Sequence, residues 1–397
     1  MKKIKLAIVS PFPPSKGTLN EYAFHLVNNF KEKEELSEII ILSDKLPEGE
    51  EFKMLDGKVE VSFHQAWDFN SYTNLFKINK IVKELKPDIV FFNIQFLSFG
   101  DKKVPATLGL MTPVYLKITG VPTVSLLHNI TETVDLKSAG ITKNPFMSFI
   151  YKTFGTMITR MILGSNLVTV TISKYVRILE GKYNMSNIAL VPHGSFDLPP
   201  TPDFEQENDL LKIMTFGKFG TYKKVEGMIE AVAKVRSRIR KDIGIVIAGT
   251  DSPNMKGYLD GVKKKYAHIP NIEFTGYVEE EDVPGLFQDA TAVLFDYTST
   301  TGSSGVMHQA GSYGKAAIIP KIGDLKELVE EEGYVGEYFT PGDVEGMSKS
   351  VEKLLVDDDY RTELSKRNYI AAASLPMDEI ADWYLMHFYR ILDRDMY

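Results

Sequence analysis

An α/β fold made of two doubly wound parallel sheets follows from three features of the sequence. Short β-branched runs alternate with stretches of helical period, the alternation breaks once near residue 200, and it restarts there with a new strand. Strands that alternate with helices pair in parallel, and a parallel sheet is covered on both faces. At about 150 residues per domain, a chain of 397 residues has room for two.

In the first half, Ile4–Val9 reads as a strand, followed by a Pro-rich turn and a helix over Thr18–Phe30. Ile39–Leu42 and Val59–Phe63 are short strands, and Tyr72–Leu85 has the apolar spacing of a helix. Asp88–Phe92 and Val121–Leu127 are strands, Pro145–Leu163 is a long apolar-rich helix, and Leu167–Ile172 and Ile188–Val191 complete the sheet. Residues 195–209 are rich in Pro and acid and lack periodicity, which marks a linker. Beyond it come strands Ile213–Phe216, Gly244–Ala248, Ile272–Phe274, Ala292–Phe295 and Ala316–Ile319. Helices at Val225–Arg240, Met255–Tyr266, Val283–Asp289, Gly305–Gly314 and Leu325–Glu331 accompany them. Three more helices, Val344–Leu355, Asp359–Ala372 and Met377–Leu392, close the chain. The expected organisation is a domain over 1–195, a second over 196–375, and a C-terminal helix over 376–397 that returns to the first. Open α/β sheets bind ligands beyond the carboxyl ends of their strands. Two such domains facing each other across a cleft are therefore expected to share one site.

Composition excludes several function classes. There is no Cys, so a disulfide scaffold, a thiolate metal site and a Cys nucleophile are all ruled out. The apolar stretch Leu6–Ser10 is too short for a signal peptide and runs into Pro11, Pro13 and Pro14. No run of 18 apolar residues occurs, so a soluble, cytoplasmic protein is expected. The net charge of −7 divides into 23 cations and 18 anions over residues 1–195, and 23 cations and 35 anions over 196–397. An acidic chain of this kind is not expected to bind nucleic acid. Residues 101–195, with 10 cations and 4 anions, form the most basic stretch and suit an anionic or phosphorylated acceptor.

Four segments carry candidate chemistry. In Ser10-Pro-Phe-Pro-Pro-Ser-Lys-Gly17, between the first strand and first helix, Gly17 lets backbone approach a ligand at a helix N-terminus. The segment matches neither GxGxxG nor GxxxxGK[ST], and a plain strand–helix turn explains it as well. His128 ends a strand, where a side chain that titrates near neutrality can also bond a sugar hydroxyl or phosphate. Lys218, Lys223 and Lys224 flank a Gly-containing loop after the first strand of the second half; such cations stabilise charge growing on a departing phosphate. The fourth segment, Thr300–Ile318, leads from a strand through a Gly/Ser turn into a helix. The amides of Ser303, Ser304 and Gly305 would face an anion, aided by the helix dipole, and Gln309 lies one turn on. A capped helix of small residues is the structural alternative.

In this order and spacing, these pieces resemble the retaining GT-B glycosyltransferases of family 4, over nearly the whole chain. The matching pieces are Pro13-Pro14-x-x-Gly17, His128-Asn129, Gly217-Lys218 with Lys223, Ile247-Ala-Gly249, Phe274–Val278 and Gly302-Ser-Ser-Gly305. The resemblance implies two Rossmann-like domains facing across a cleft. It implies that Gly17 approaches the donor phosphates and transferred sugar, and that His128 is the active-site His. The family's Gly-Arg pair is Gly217-Lys218 here, and the family Lys five positions on falls at Lys223. Lys224 stands where the family has Gly, which leaves open which of the two lysines operates. Both cations would stabilise the diphosphate leaving group, and Tyr277 and Val278 would hold the base through backbone contacts. The chain departs from the family at its two Glu spaced eight apart, which read Thr301 and Gln309 here. A Gln still bonds a ribose diol; Thr301 cannot act as an acid beneath the donor sugar.

The expected reaction is transfer of a hexose from a nucleotide diphosphate sugar, UDP or GDP, to a hydroxyl acceptor with retained configuration. The acceptor class is a glycan, a lipid-linked glycan, a small polyol or a phosphorylated acceptor. No cofactor and no metal are expected: Lys218, Lys223 and helix amides supply the charge, and Asp357–Asp359 reads as a solvated helix boundary. The alternative is a catalytically silent GT-B partner of another glycosyltransferase, motivated by Thr301 and Gln309, or a GT-B epimerase or phosphorylase. The apolar arc of Pro145–Leu163 reads first as domain core or an oligomer contact and second as a surface lying on the inner face of a membrane. The aromatic stripe Trp383, Tyr384, Phe388 and Tyr389 reads as packing.

Overall fold

The structure is a computed structural model, described for residues 2–133, 144–196, 198–199, 202, 204, 210–252, 254–299 and 302–393. Its residues form two compact units: Met1–Val134, Asn144–His193 and Met377–Tyr397 make one, and Gly194–Pro376 falls in the other.

The first unit is built on β1 (Ile4–Val9), α1 (Asn20–Phe30), β2 (Leu36–Asp44), β3 (Glu60–Trp67), α2 (Asn74–Leu85), β4 (Ile89–Ile94), α3 (Lys103–Leu110), α4 (Thr112–Ile118), β5 (Thr123–Leu127), α5 (Pro145–Ile162), β6 (Leu167–Val170), α6 (Ser173–Tyr183) and β7 (Ile188–Leu190). The sheet order is β3-β2-β1-β4-β5-β6-β7 and all neighbours run parallel. Every residue of β4, Ile-Val-Phe-Phe-Asn-Ile, is buried, as a central strand covered on both faces requires. The winding direction reverses between β1 and β4, and that is where a doubly wound sheet opens a crevice at its carboxyl edge.

The second unit repeats the plan with β8 (Leu211–Phe219), α7 (Glu226–Ile239), β9 (Ile243–Asp251), α8 (Tyr258–Lys265), β10 (Ile272–Gly276), α9 (Val283–Asp289), β11 (Ala292–Leu294), α10 (Gly305–Ser312), β12 (Ala316–Pro320), α11 (Gly323–Glu332), β13 (Gly336–Phe339), α12 (Val344–Val356) and α13 (Asp358–Ala373). Its parallel order is β10-β9-β8-β11-β12-β13, so the reversal falls between β8 and β11. One apolar core joins Ile213, Ile245 and Ile247 of the sheet to Met228 and Val232 of α7 and Met347 and Val351 of α12.

The last helix, α14 (Met377–Ile391), belongs to the first unit. Tyr384 and Phe388 pack edge-on against Phe91 of β4, with centroids 4.8 and 6.1 Å apart, and Phe388 lies 6.1 Å from Phe30 of α1. The Tyr384 hydroxyl meets Thr169 Oγ1 at 3.2 Å. The aromatic stripe is thus a packing face, as read from its spacing.

Several elements differ from the sequence reading. α3, α4, α6 and β13 are additional. α3 carries Pro105 and Gly109, both poor helix formers. Its glycine is required by tertiary contact, since a Cβ there would sit 2.2 Å from Phe99. Segment 195–209 is not wholly a free linker: the Ser195 amide donates to Leu375 O at 2.8 Å, Tyr369 Oη donates to Pro199 O, and Phe204 lies beside the Tyr369 ring. The core reading of α5 holds for one face only. Gly155, Ile158, Thr159 and Ile162 are buried, whereas Phe146, Phe149, Ile150 and Met157 are exposed. Its apolar arc is wider than the stripe that the unit can cover. Among the described residues no helix is long and apolar enough to cross a membrane.

Phe388→Ala is expected to destabilise the first unit by about 3–5 kcal/mol, the usual cost of emptying a buried Phe site. Denaturant unfolding with an unchanged midpoint would contradict the packing role.

Candidate functional site

Two polar clusters stand out, one in each unit, each at the reversal point of its sheet. In the first unit the organising residue is Asn93, near the carboxyl end of β4. Its amide nitrogen donates to Ser10 Oγ at 2.9 Å and to the Leu19 carbonyl at 3.2 Å. These bonds tie β4 to the residue after β1 and to the start of α1. With both amide hydrogens committed, Asn93 Oδ1 faces His128 Nε2 at 2.6 Å. An amide oxygen only accepts, so Nε2 carries the hydrogen and Nδ1 is left as the basic nitrogen. Burial, reinforced by His193, holds the His128 imidazole well below its ordinary range. The ring is therefore neutral at physiological pH, and it packs edge-on against Tyr22 at 4.7 Å.

The turn before α1 is locked from within. Ser15 Oγ donates to Asp44 Oδ2 at 2.7 Å and accepts from the Gly17 amide at 3.1 Å. A Cβ at Gly17 would lie 2.7 Å from Pro11 Cβ and 3.2 Å from Asp44 Oδ2. The absence of a side chain at Gly17 thus serves the turn itself. Burial raises the Asp44 carboxyl, and the Ser15 and Ser43 hydroxyls counter that rise.

In the second unit, Gly217 and Lys218 lie within β8, paired with Gly249 and Thr250 of β9, and not in a loop as the sequence suggested. Two glycines make this pairing fit. A Cβ at Gly249 would fall 1.9 Å from the Gly217 carbonyl, and one at Gly217 would fall 2.6 Å from Lys223 Nζ. Lys223 therefore folds back over Gly217, and its ammonium lies 5.0 Å from the centroid of the Tyr297 ring. Lys224 turns elsewhere: its ammonium donates to Gly220 O at 2.7 Å and sits over Tyr258. Lys218 is exposed while Phe219 beside it is fully buried, the alternation of a strand.

Tyr297 links this cluster to the Gly/Ser turn. Burial raises its phenol, with Ser304 acting against the rise. Ser304 is the N-cap of α10 and its Oγ accepts from the Met307 amide at 3.4 Å. Gly302 has φ +82°, and its amide donates to Asp324 Oδ2. Ser303, Ser304 and Gly305 are half-buried around the helix start, and Gln309 is buried one turn in. Thr301 lies outside the described residues. Tyr277 is exposed just beyond β10, next to half-buried Val278. The strand end is set by Thr275 Oγ1, which accepts from the Gly249 amide at 3.1 Å. Asp357 is the N-cap of α13, accepting from the Tyr360 amide, so the acidic run is indeed a helix boundary.

Sequence reasoning missed Asn93, Asp296 and the cluster beneath α10. Asp296 follows β11; its carboxylate accepts from the Met228 amide at α7, and its carbonyl accepts from the Lys224 amide at 2.8 Å. Burial pushes its carboxyl up to about 6. Beneath α10, His308 Nδ1 meets Tyr334 Oη at 2.9 Å and Glu332 Oε2 at 3.5 Å. Burial pushes Glu332 up to about 8, so at neutral pH it carries a proton. None of these has a sequence signature, because each depends on partners 20 or more residues away.

With this geometry in view, residues 202–370 match the family model described as "Glycosyl transferases group 1". No curated protein matches the chain by sequence. Among solved structures, sucrose-phosphate synthase from Thermosynechococcus elongatus superposes with TM-score 0.73 at 14% identity, covering 98% of each chain. A glycosyltransferase from Rickettsia africae gives 0.69 at 14% identity, covering 100% of each. HepE of Anabaena in complex with UDP gives 0.67 at 13%, covering 98% of this chain and 100% of that one. These likenesses establish the fold, two Rossmann-like parallel-sheet domains of GT-B type.

The Asn93 geometry predicts a single tautomer. In nitrogen-15 NMR, His128 should show hydrogen on Nε2 and stay neutral as pH falls through the ordinary imidazole range. Because its folded value lies below the unfolded one, His128 favours the folded state above about pH 6.5, and that contribution fades as pH falls. Asn93→Ala should mix the tautomers; an Nδ1–H signal in the unaltered protein would refute the assignment. For Asp296 the sign is opposite. Its folded value exceeds the unfolded one, so its contribution favours folding at low pH and is lost as pH rises through about 6. Asp296→Asn should therefore be more stable than the parent at pH 7.5 by about 1–3 kcal/mol and equal to it near pH 4, read by melting temperature.

Proposed function

We propose that the protein transfers a hexosyl group from a nucleoside diphosphate sugar, UDP- or GDP-linked, to a hydroxyl acceptor, with retention of configuration. The observation that carries this reading lies at the β8–β11 reversal point. There Lys223, folded over Gly217 and beside Tyr297, neighbours the capped N-terminus of α10, in the stretch that matches the glycosyltransferase family model. A diphosphate placed there would meet an ammonium and free helix amides. Both favour negative charge, and neither needs to reorganise as charge develops. That HepE was solved with UDP, and with UDP and glucose, supports the same donor class.

In the transfer, the acceptor oxygen bonds the anomeric carbon as the bond from that carbon to the diphosphate oxygen breaks. The electron pair leaves with the nucleoside diphosphate, and the acceptor hydroxyl's proton passes to that departing diphosphate oxygen. Lys218 and Lys223 stabilise the leaving group, and the amides of Ser303, Ser304 and Gly305 share the phosphate charge. Gln309 bonds the ribose diol, and Tyr277 and Val278 flank the base. Neutral His128, with Nε2–H held by Asn93, is left with Nδ1 as an acceptor for a sugar hydroxyl. No residue is assigned as a covalent nucleophile, and the acceptor class is a glycan, a lipid-linked glycan, a small polyol or a phosphorylated acceptor.

A thermal-shift screen across UDP-, GDP- and ADP-sugars identifies the donor, because a ligand bound only by the folded state raises the melting point. Lys218→Ala and Lys223→Ala should each slow turnover by about 100-fold, the usual cost of losing one group that stabilises developing anionic charge. Lys224→Ala should cost less, since its ammonium is committed to Gly220 O. Near-normal turnover in both of the first two variants would remove the phosphate-clamp assignment. Tight donor binding with no sugar transfer would point to a silent binding partner instead.

A further inference from the structure

We propose that the outward face of α5 docks the protein on an anionic lipid bilayer. This inference concerns the first unit alone and does not depend on the proposed reaction. α5 has two faces. At 100° per residue, Phe146, Phe149, Ile150, Thr153 and Met157 fall within an arc of about 100°, opposite the buried Gly155, Ile158 and Ile162. Phe146 and Phe149 are 70% and 68% exposed, and Ile150 and Met157 are exposed beside them. Two neighbouring aromatic side chains left this open on one helix face are uncommon on a surface that meets only water.

Charge identifies the occupant. α5 contains Lys152 and Arg160 and no acidic residue. Residues 144–179 contain no Asp or Glu, in a chain where Asp and Glu number 53 of 397. Lys152 is exposed on the flank of the apolar arc, and Arg160 is exposed at its C-terminal end. Lys103 of α3 brings a further ammonium to the helix, 4.7 Å from the Tyr151 ring. Among the described residues, the Glu132 carboxylate beside this helix is committed to Lys182 and Tyr183. An apolar strip bordered by cations is the pattern of a helix lying in the headgroup boundary: the aromatic and aliphatic groups enter the acyl edge while the cations meet anionic headgroups. A protein partner would need acidic groups facing Lys152 and Arg160; a bilayer supplies them as lipid phosphates and needs no shape complementarity.

The test is flotation of the full chain with vesicles of phosphatidylcholine containing about 30 mol% phosphatidylglycerol, against pure phosphatidylcholine. The wild type should float with the anionic vesicles at about 0.1 M salt and largely dissociate at about 0.5 M, where screening is short-ranged. Phe146→Ser with Phe149→Ser, and separately Lys152→Glu with Arg160→Glu, should each lower the bound fraction about tenfold or more, since each lost cation alone is worth about fivefold. All four positions are exposed, so the melting temperature should hold; if one pair unfolds, the other decides. The proposal fails if the wild type does not float with anionic vesicles, or if both pairs float as it does. It also fails if flotation on pure phosphatidylcholine is as strong and insensitive to salt. A wild-type dimer that the Phe146/Phe149 pair dissolves, without flotation, would assign the face to a second copy.

Discussion

A doubly wound parallel sheet has one place where its strands part company, and this protein closes that place twice with polar ties. In the first unit the tie is Asn93, whose amide bridges β4, the residue after β1, and the start of α1. In the second it is the Lys223–Tyr297 strand bridge, with the Lys224 amide donating to the Asp296 carbonyl, which joins β8 to β11. Crossover connections leave the reversal point without a helix over its carboxyl edge. Backbone ends and polar side chains therefore gather there, and each must be satisfied by a neighbour or a ligand. The rest of the architecture, two sheets clad in helices, holds those two edges still.

The ties also set the electrostatics. Burial keeps His128 neutral, and the saturated Asn93 amide decides which nitrogen is basic. In the second unit burial works against the charged form of Asp296 and Glu332. The acidity of residues 196–397 is a property of the surface as a whole; the local field at α10 is made by a few groups.

Much of this was legible in the residues. β1 and α9 carry the bounds that their apolar runs suggested, and the Gly/Ser turn falls at the N-terminus of α10 as its composition implied. What stayed hidden has a common physical cause. α3 contains a Pro and a Gly whose helical state depends on Phe99. Gly217 and Lys218 read as loop because a glycine in a strand reads as a break, and only the close approach of Gly249 explains it. Asn93 is one polar residue inside the apolar run Ile89–Ile94, and its importance lies in three partners distant in sequence. Periodicity reports which face is apolar. It does not report which polar atom a distant segment will meet, nor, as α5 shows, how much of an apolar arc the rest of the unit will cover.

The place of α14 has a consequence for how the molecule comes into being. The aromatic centre of the first unit is completed by Tyr384 and Phe388, which leave the ribosome only after the whole of Gly194–Pro376. During synthesis Phe30 and Phe91 must wait, uncovered on that side, while the second unit has every residue it needs to fold. The unit that is begun first is thus finished last.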